Sequence, residues 1–347
     1  MSLRTALPKA RRLAAFLFAL TGHWFTSWQL GVEQHSRAAA AFSRPPLPLQ
    51  PATHLPPPAV NWHLEPRCNF ACEFCYAHFY EAGKRPDRLD LRVSFDILAQ
   101  LVDAGAQKIT FVGGEPLLHP HIRQLVERAK QLGLTTCIVT NGSLLSSAWL
   151  ESMRRHLDWL GISIDASTDA LHLQIGRASM TDRRRNASSH LEHLERMWAV
   201  ARGLGYGLKL NTVVSRPTLH SDMGDLVLRL RPDRWKAFQV LRIEGENDDT
   251  FDAYEISRSE FDEWVERHRR KVEPHQIELV AESNADMRGT YAMMDWQGRF
   301  YSNAGGSYEH SGSAAELGVK PAWAQVVGGF DFESFDSRGG VWDWQGE

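Results

Sequence analysis

Three of the four cysteines in this chain lie within eight residues, as Cys68, Cys72 and Cys75. Their Cys-x3-Cys-x2-Cys spacing brings three thiolates into one small volume, and thiolates are soft ligands that hold iron–sulfur clusters or zinc. Because a [4Fe–4S] cluster has four irons, three thiolates leave one iron open to bind a substrate or a cofactor. Structural zinc is closed by four protein ligands, so a Cys3His site completed by His63 or His78 is the alternative interpretation.

A glycine-rich segment follows the cysteines by about 40 residues. Residues 107–116 read as a short apolar strand that ends in Gly113, Gly114, Glu115 and Pro116. Glycines at the carboxyl end of a strand let a ligand approach the backbone closely. The Glu115 carboxylate then offers an acceptor for an ammonium group, so this segment is a candidate site for the amino end of a small molecule.

Together the two motifs resemble the signature of the radical S-adenosylmethionine (SAM) superfamily, in which an aromatic residue precedes the third cysteine as Phe74 does here. The resemblance implies a [4Fe–4S] cluster held by the three cysteines, with SAM on the open iron. It also implies that Phe74, Gly113, Gly114 and Glu115 belong to the SAM site, the last three at its amino-acid end.

The composition is that of a globular protein, with 43% hydrophobic and 23% charged residues among 347. The net charge of −3 gives no overall positive field for nucleic acid. Four cysteines are too few for a disulfide scaffold and fit a reducing compartment. Outside the triad only Cys137 remains, inside a predicted strand, where we expect a buried and inert thiol. Additional iron–sulfur clusters would therefore lack ligands.

Residues 1–43 are predicted to form a separate basic and apolar segment. From residue 13 to residue 32 there is no formal charge, and apolar side chains recur at helical spacing downstream of basic residues. This pattern predicts a helix in the membrane interface, with contact through residues 9–30 on the cytosolic face; a transit peptide and a disordered tail are the alternatives. Residues 44–58 contain seven prolines and read as a stiff linker, so the folded part begins near Ala59.

From Ala59 onward, short apolar runs alternate with amphipathic stretches. This alternation predicts an α/β fold, with a parallel sheet and helices outside it. Six such units predict a partial (βα)6 TIM-type barrel over residues 59–245, with its functional groups at the carboxyl ends of the strands. Residues 246–347 are predicted to form a C-terminal extension that covers the active site. The predicted strands are Val60–Leu64, Lys108–Val112, Thr135–Thr140, Trp159–Ile164, Gly207–Val213 and Trp235–Leu241.

Further stretches are similar to viperin and viperin-like enzymes, and their order and spacing make the resemblance specific. Members of that family convert a ribonucleoside triphosphate into its 3′-deoxy-3′,4′-didehydro form, an antiviral nucleotide. The resemblance implies that a 5′-deoxyadenosyl radical removes the 4′ hydrogen of the ribose and that the 3′ hydroxyl leaves as water. The stretches include Val60–His63, Lys108–Pro116, Val139–Leu144, Gly176–Arg177, Lys209–Asn211, Arg234–Gln239, Ile243–Asn247, Glu282–Asn284 and Arg338–Gly340.

Four basic residues, Lys108, Lys209, Arg234 and Lys236, are expected to follow or end three of the predicted strands. Because side chains alternate along a strand, Lys209 shares a face with Asn211, and Arg234 shares one with Lys236. Basic side chains that face into a barrel are costly to bury unless an anion pairs with them. The pattern therefore predicts a phosphate site, whereas isolated lysines at strand ends are usually just solvated.

The viperin resemblance assigns further roles by position. Asn141, Ser163 and Arg177 match residues that hold the ribose and the carboxylate of SAM. Asn61 matches a residue close to the substrate, and Tyr291 matches a tyrosine that returns an electron and a proton to the sugar. The expected substrate is CTP or UTP.

The expected partners are the nucleoside triphosphate, an electron donor and iron–sulfur assembly factors, and no nucleic acid. One alternative is a radical SAM enzyme that acts on another phosphorylated small molecule. The other is a membrane-associated interaction protein whose cluster is purely structural.

Overall fold

The computed structural model of the chain describes residues 55–79, 87–342 and 344. The predicted interfacial helix, its alternatives and most of the proline-rich linker fall on residues outside these ranges. Among the helices that the structure describes, none combines the length and the apolar character needed to cross a membrane.

The described residues contain one ten-stranded sheet. Its strands are β1 Ala59–Glu65, β2 Lys108–Gly113, β3 Thr135–Thr140, β4 Trp159–Ser163, β5 Gly207–Val214, β6 Arg234–Gln239, β7 Leu279–Glu282, β8 Ala292–Met294, β9 Arg299–Ser302 and β10 Glu309–Ser313. Their spatial order is β10-β9-β8-β1-β2-β3-β4-β5-β6-β7. Neighbours from β8 through β1 to β7 are parallel, whereas β9 is antiparallel to both β8 and β10.

Helices connect the strands. Those that the structure describes are α1 Leu91–Asp103, α2 Ile122–Gln131, α3 Ser147–Met153, α4 Asp169–Gln174, α5 Met180–Arg185, α6 His190–Gly203, α7 Gly224–Leu230, α8 Asp248–Phe251, α9 Arg258–Val272, α10 Asn284–Met287, α11 Ala314–Leu317, α12 Val319–Ala324 and α13 Phe332–Ser337. Short 3-10 turns lie at Pro116–Leu118, Arg216–Thr218, Glu273–His275 and Val327–Gly329.

Local sequence explains where the longer helices begin. The Asp90 carboxylate accepts a hydrogen bond from the Arg92 amide at 2.8 Å and caps α1. Ser257 and Glu260 form a capping box at the start of α9. Such caps satisfy amides that have no partner inside the helix, and each contributes about 1 kcal/mol. The helices therefore start at positions that short-range sequence chemistry selects.

Side-chain alternation gives the sheet two different faces. On β1, Val60, Trp62 and Leu64 are buried in one apolar cluster with residues of the helices, and each such side chain contributes about 1.5–3 kcal/mol on burial. Asn61 and His63 point to the other face and line a cavity. The helices therefore cover the apolar face, while the opposite face is free to carry polar chemistry.

All six strands predicted from the sequence are present, each within two residues of its predicted bounds. The parallel α/β architecture is confirmed. The prediction missed β7 to β10, and β8 joins the far side of β1. Gly298 was a usable signal in the sequence for the turn between β8 and β9. Glycine readily adopts the φ of 72° found there, and the Gly298 amide donates to the Asp295 carbonyl at 3.1 Å. The proposed domain boundary at residue 245 stays a prediction.

The parallel strands place functional groups at two ends of the sheet. We use "carboxyl rim" for the side where β1 to β7 end, and "amino end" for the side where they begin. The cysteine loop follows β1 and therefore lies at the carboxyl rim. Helix α9 starts after β6 at this rim and finishes near the amino end, where β7 begins.

Candidate active site

A cavity of about 280 Å³ lies on the polar face of the sheet. Inward-facing residues of neighbouring strands line it in register: Asn61 lies opposite Thr110, Ser163 opposite Asn211, and Asn211 opposite Lys236. The period-two alternation of the strands explains why polar residues that are distant in sequence meet in one row.

The three cysteines of the loop after β1 all line this cavity. The amides of Phe70 and Ala77 donate to the sulfurs of Cys68 and Cys75 at 3.4 Å each. Burial raises the pKa of Cys72 to about 12 and that of Cys75 to about 11. Without a metal these thiols therefore stay protonated at neutral pH, and metal binding must release their protons. Three soft donors around one cavity fit an iron–sulfur cluster.

The two imidazoles of the Cys3His zinc alternative differ, because His78 is hydrogen-bonded whereas His63 lines the cavity and its Nδ1 has no hydrogen-bond partner among the described residues. Both ring nitrogens of His78 face backbone carbonyls, those of Glu246 at 3.0 Å and Cys72 at 3.2 Å. His63 is buried, and the rings of Phe79 and Tyr301 pack edge-on against it. Within the described ranges, no group of three or more His, Cys, Asp or Glu side chains is placed to hold a single metal ion.

Gly113 and Gly114 line the cavity, yet the backbone of the cysteine loop is the reason that both must be glycine. A Cβ at Gly113 would lie 2.3 Å from the Glu65 carbonyl oxygen, and one at Gly114 would lie 2.4 Å from that of Arg67. The Gly114 amide donates to the Glu65 carbonyl at 2.6 Å. Glycine at these two positions therefore lets the end of β2 approach the backbone of Glu65 and Arg67, just before the cysteines. Any contact of the two glycines with a ligand is additional to this structural requirement.

The Glu115 side chain already has three hydrogen-bond donors within the protein. Its carboxylate is fully buried and accepts hydrogen bonds from Thr140 Oγ1 at 2.6 Å and from the amides of Leu117 and Asn141 at 3.0 and 2.8 Å. It does not itself line the cavity. The structure uses Glu115 to fix the turn that presents Asn141, and its contact with the ammonium group of SAM stays a prediction.

Asn141, Ser163 and Arg177 all line the carboxyl-rim part of the cavity, as their predicted roles require. Arg177 Nε donates to a carboxylate oxygen of Asp165, whose other oxygen accepts from the Val213 amide at 2.8 Å. Asp165 was not among the predicted site residues. Its signal in the sequence was a single carboxylate two residues after the end of the apolar strand β4.

Phe74 is buried and lines the cavity beside the cysteines. The Arg177 guanidinium lies over its ring, 5.8 Å from the centroid, and the ring of Tyr254 lies 5.8 Å away on centroids. Phe74 therefore packs the cysteine loop against the residues predicted to hold SAM.

The predicted phosphate residues come together, but not where we expected them. Lys108 and Arg234 are the first residues of β2 and β6, and Lys209 and Lys236 are the third residues of β5 and β6. They do not follow the strands at the carboxyl rim. The expectation was wrong because it applied the rim rule to every functional residue, whereas these side chains point inward within the first half of each strand.

Lys236 is part of a buried network that the sequence did not reveal. Its Nζ contacts the Glu282 carboxylate and donates to the Tyr291 hydroxyl at 3.0 Å. Arg338 Nη1 lies 3.3 Å from the same carboxylate, and its guanidinium stacks 3.8 Å from the Tyr291 ring centroid. Tyr291 donates its hydroxyl proton to Glu282. Burial, and then the Glu282 charge, raises the pKa of Tyr291 well above its ordinary value, so the phenol stays protonated.

The basic part of the cavity carries more positive charge than its carboxylate neutralises. Lys108, Lys209, Lys236 and Arg338 line it, and Glu282 contacts the last two. Within the described part of the chain, Lys209 has no carboxylate or other hydrogen-bond partner. Burial lowers the pKa of Lys108 and of Lys236 to about 7 each, which means that charge here is costly without an anion. A bound polyanion would offset that cost.

Two tryptophans from the end of the chain close the cavity near the amino end. Trp342 lines the cavity, and its ring centroid lies 4.6 Å from Lys108 Nζ and 4.7 Å from Arg234 Cζ. The Trp344 ring lies 5.1 Å from Lys108 Nζ. Arg234 is thereby covered rather than exposed to the cavity, and its Nη1 bonds Glu278 at 3.2 Å.

Three asparagines that line the cavity differ in how many hydrogen bonds their side-chain amides already make within the protein. Asn303 lines the cavity, but its Oδ1 accepts from the Gly289 amide at 2.8 Å and its Nδ2 donates to the Met287 carbonyl at 3.4 Å. Asn211 Oδ1 is buried with no hydrogen-bond partner in the described residues. Asn61 faces the cavity with its amide half-buried. Asn61 and Asn211 are therefore better placed than Asn303 to bind a ligand.

Comparison with known proteins accounts for this arrangement. Residues 64–227 match the Radical SAM superfamily. A relative from Flammeovirga pacifica, named S-adenosylmethionine-dependent nucleotide dehydratase, is 38% identical over 293 residues, covering 83% of this chain and 96% of the relative. The S-adenosylmethionine-dependent nucleotide dehydratase RSAD2 of Danio rerio is 34% identical over 299 residues, covering 83% of this chain and 78% of the relative.

Solved structures agree on the fold. SuiB of Streptococcus suis bound to S-adenosylmethionine superposes with a TM-score of 0.61 at 14% identity, covering 81% of this chain and 67% of SuiB. Native anSMEcpe with bound AdoMet and a peptide gives a TM-score of 0.54 at 13% identity, over 71% and 74% of the two chains. The superfamily uses a [4Fe–4S] cluster and SAM, and the thiol-lined cavity fits that pair. The chain belongs to the viperin-like family of S-adenosylmethionine-dependent nucleotide dehydratases, within the Radical SAM superfamily.

Proposed function

We propose that this protein removes water from the ribose of a nucleoside triphosphate and gives the 3′-deoxy-3′,4′-didehydro analogue. The observation that carries the proposal is the division of one cavity into two parts. Three thiols and Arg177 lie in one part, and Lys108, Lys209, Lys236 and Arg338 lie in the other. A cofactor site and a polyanion site therefore share one cavity, as a reaction between SAM and a nucleotide requires.

The cofactor part of the site is proposed to hold the cluster and to orient SAM. When bound, the cluster and SAM together supply a 5′-deoxyadenosyl radical. Cys68, Cys72 and Cys75 provide the three thiolates that hold the cluster. The proposed contacts of SAM are Asn141, Ser163 and Arg177, with the Arg177 guanidinium oriented by its ion pair to Asp165.

The basic part of the site binds the phosphates. Lys209 and Lys236 lie diagonally on the neighbouring strands β5 and β6, where Lys236 is opposite Asn211. Lys209 has no protein counter-charge within the described ranges, so its charge is available to a phosphate. Asn61 and Asn211, on the same face, are placed to hold the ribose hydroxyls. Phosphates anchored in this way would keep the ribose between the lysines and the cysteine loop.

Tyr291 is proposed to complete the dehydration. After the 4′ hydrogen is removed, departure of the 3′ hydroxyl as water needs one proton, and the remaining sugar needs one electron to form the double bond. A protonated phenol can provide both and becomes a neutral tyrosyl radical, which an external donor then reduces. The hydrogen bond from Lys236 and the bond to Glu282 hold the hydroxyl at the cavity wall.

The family resemblance supports a pyrimidine base, so CTP and UTP are the proposed substrates. The proposal also requires two protein partners. An electron donor must reduce the cluster, and iron–sulfur assembly factors must deliver it to the three cysteines.

Anaerobic assays with each of the four common ribonucleoside triphosphates test the function. The reconstituted protein is incubated with SAM and dithionite, and 5′-deoxyadenosine and the nucleotide product are measured by mass spectrometry. We expect 5′-deoxyadenosine to rise strongly with CTP or UTP, together with a product lighter by one water. SAM cleavage that is equal with and without every triphosphate would reject a nucleotide substrate and favour another phosphorylated molecule.

Replacement of Lys209 by methionine tests the phosphate site. The substitution keeps the length of the side chain and removes the charge, so we expect the KM for the triphosphate to rise on the order of ten- to a hundred-fold. Cluster absorbance should be unchanged, because Lys209 does not contact the cysteine loop. Lys320→Met, at an exposed position on α12, is the matched control. An unchanged KM, or an equal effect of both variants, contradicts the assignment.

A further inference from the structure

A short basic helix lies directly beside the cysteine loop. Helix α5 ends in three consecutive arginines, Arg183, Arg184 and Arg185, and all three are exposed. Met180, at its start, is also exposed, at 55%. Neither the SAM site nor the proposed phosphate site uses this surface.

The backbone fixes the segment before α5 against the loop. The amides of Ala71 and Glu73 donate to the carbonyls of Gly176 and Ile175 at 3.3 Å each. Phe70 forms an isolated bridge with Ser179. A Cβ at Gly176 would lie 2.1 Å from the Ala71 carbonyl oxygen, and Gly176 has a φ of 74°, so the close approach requires glycine. The exposed arginines are therefore held next to the loop that carries the cluster ligands.

The charges on this surface are only partly used inside the protein. Arg183 lies 3.5 Å from both the Ala71 carbonyl and the Glu73 carboxylate. Asp182 accepts a hydrogen bond from Ser179 at the start of the helix. In the part of the chain that the structure describes, Arg184 and Arg185 make no hydrogen bond or ion pair. A chain whose net charge is −3 thus carries a positive surface at the cysteine loop.

We infer that Met180, Arg184 and Arg185 form the docking surface for a small acidic protein that carries one electron to the cluster. The inference rests on the proposed function, whose radical chemistry needs one external electron at the cluster for each SAM cleaved, besides the external electron that reduces the Tyr291 radical. The carrier is oxidised by one electron and the cluster is reduced by one. Because electron tunnelling weakens steeply with distance, the carrier must dock close to the cysteine loop.

Charge and composition favour this kind of partner. Complexes of electron-transfer proteins are small and weak, and opposite charges steer them together. Arginine and methionine are enriched at protein interfaces, where methionine supplies adaptable apolar contact. An acidic carrier would therefore find the steering charges and a central apolar contact on one short helix.

The double variant Arg184→Glu/Arg185→Glu tests the inference in the full-length protein. The matched control is Arg269→Glu/Arg270→Glu, because these exposed arginines also end a helix, α9, yet lie toward the amino end, away from the cysteine loop. Flavodoxin is the probe. Its binding is measured by calorimetry at low and high ionic strength, and reduction of the cluster is followed by its absorbance with reduced flavodoxin or with dithionite.

We expect the Arg184/Arg185 variant to bind flavodoxin about ten-fold or more weakly at low ionic strength, with a smaller difference at high ionic strength. Cluster reduction by flavodoxin should slow, while reduction by dithionite and the dithionite-driven activity should stay normal. The control variant should behave like the unchanged protein.

Three results would overturn the inference: unchanged flavodoxin binding, equal weakening by both variants, or equal slowing with dithionite. If the Arg184/Arg185 variant instead binds flavodoxin normally but is purified from cells with less iron, the surface serves cluster delivery and the docking of an electron carrier is rejected. If the unchanged protein shows no nucleotide-dependent activity with dithionite, the proposed function is rejected, independently of the flavodoxin result.

Discussion

Replacement of Cys72 by alanine is expected to remove the iron–sulfur cluster and, with it, all cleavage of SAM. Two thiolates cannot hold a cluster that already uses only three protein ligands. Cys72 lines the cavity as one of these three and is half-buried. Iron and sulfide content, the visible absorbance after anaerobic reconstitution, and 5′-deoxyadenosine production measure the effect.

Cys137→Ala is the control for this experiment. Cys137 is buried on β3, outside the cysteine loop, and its thiol makes only a weak contact to a backbone carbonyl at 3.7 Å. The substitution should cost about 1 kcal/mol of stability through a small cavity and leave cluster content and activity intact. A Cys72→Ala protein that retains full iron and sulfide would refute the cluster assignment, and so would the finding of zinc in place of iron in the unchanged protein.

Replacement of Tyr291 by phenylalanine should separate SAM cleavage from dehydration. The variant keeps the ring that stacks on Arg338 but loses the hydroxyl that bonds Lys236 and Glu282. Without a proton and electron donor at this point, we expect the dehydrated nucleotide to fall by on the order of a hundred-fold or more. Formation of 5′-deoxyadenosine should fall much less. The ratio of the two products, measured in one reaction mixture, reports the coupling.

Tyr301→Phe is the matched control. Tyr301 is also buried, and its hydroxyl has no hydrogen-bond partner in the described residues, so its removal breaks no hydrogen bond there. This variant should retain the normal product ratio. Unchanged coupling in Tyr291→Phe would show that the phenol does not supply the proton and electron, and that its role is to complete the Lys236–Glu282 network.

The reactive end of the site was readable from the sequence because its parts are local. Cys68, Cys72 and Cys75 lie on one loop, and their spacing predicts a thiolate metal site, with a cluster that has an open iron as the main interpretation and Cys3His zinc as the alternative. The parallel strands were predictable for a similar reason, since an apolar run bounded by turns carries its own signal. The interfacial-helix prediction for residues 9–30 stays untested.

The positions of the charged side chains relative to one another could not be predicted from local sequence patterns. The ion pairs of Glu282 join it to Lys236 and to Arg338, which lie 46 residues before it and 56 residues after it. No periodicity connects such positions. The hydrogen bond from Thr140 to the Glu115 carboxylate is another contact that the local motif could not reveal, because the two residues lie on different strands and their loops.

By itself the sequence determined the chemistry at the cysteine loop, the order of strands β1 to β6, and the inward alternation of Lys209 with Asn211. These depend on spacing along one chain segment, which is a property of the primary structure. The tertiary structure alone decided that Trp342 covers Lys108 and Arg234, that Glu282 neutralises part of the basic site, and that Asp165 orients Arg177. Those contacts join residues that lie on different strands, loops and helices, and only the assembly of the sheet and the packing of the C-terminal segment against it bring them within reach of one another.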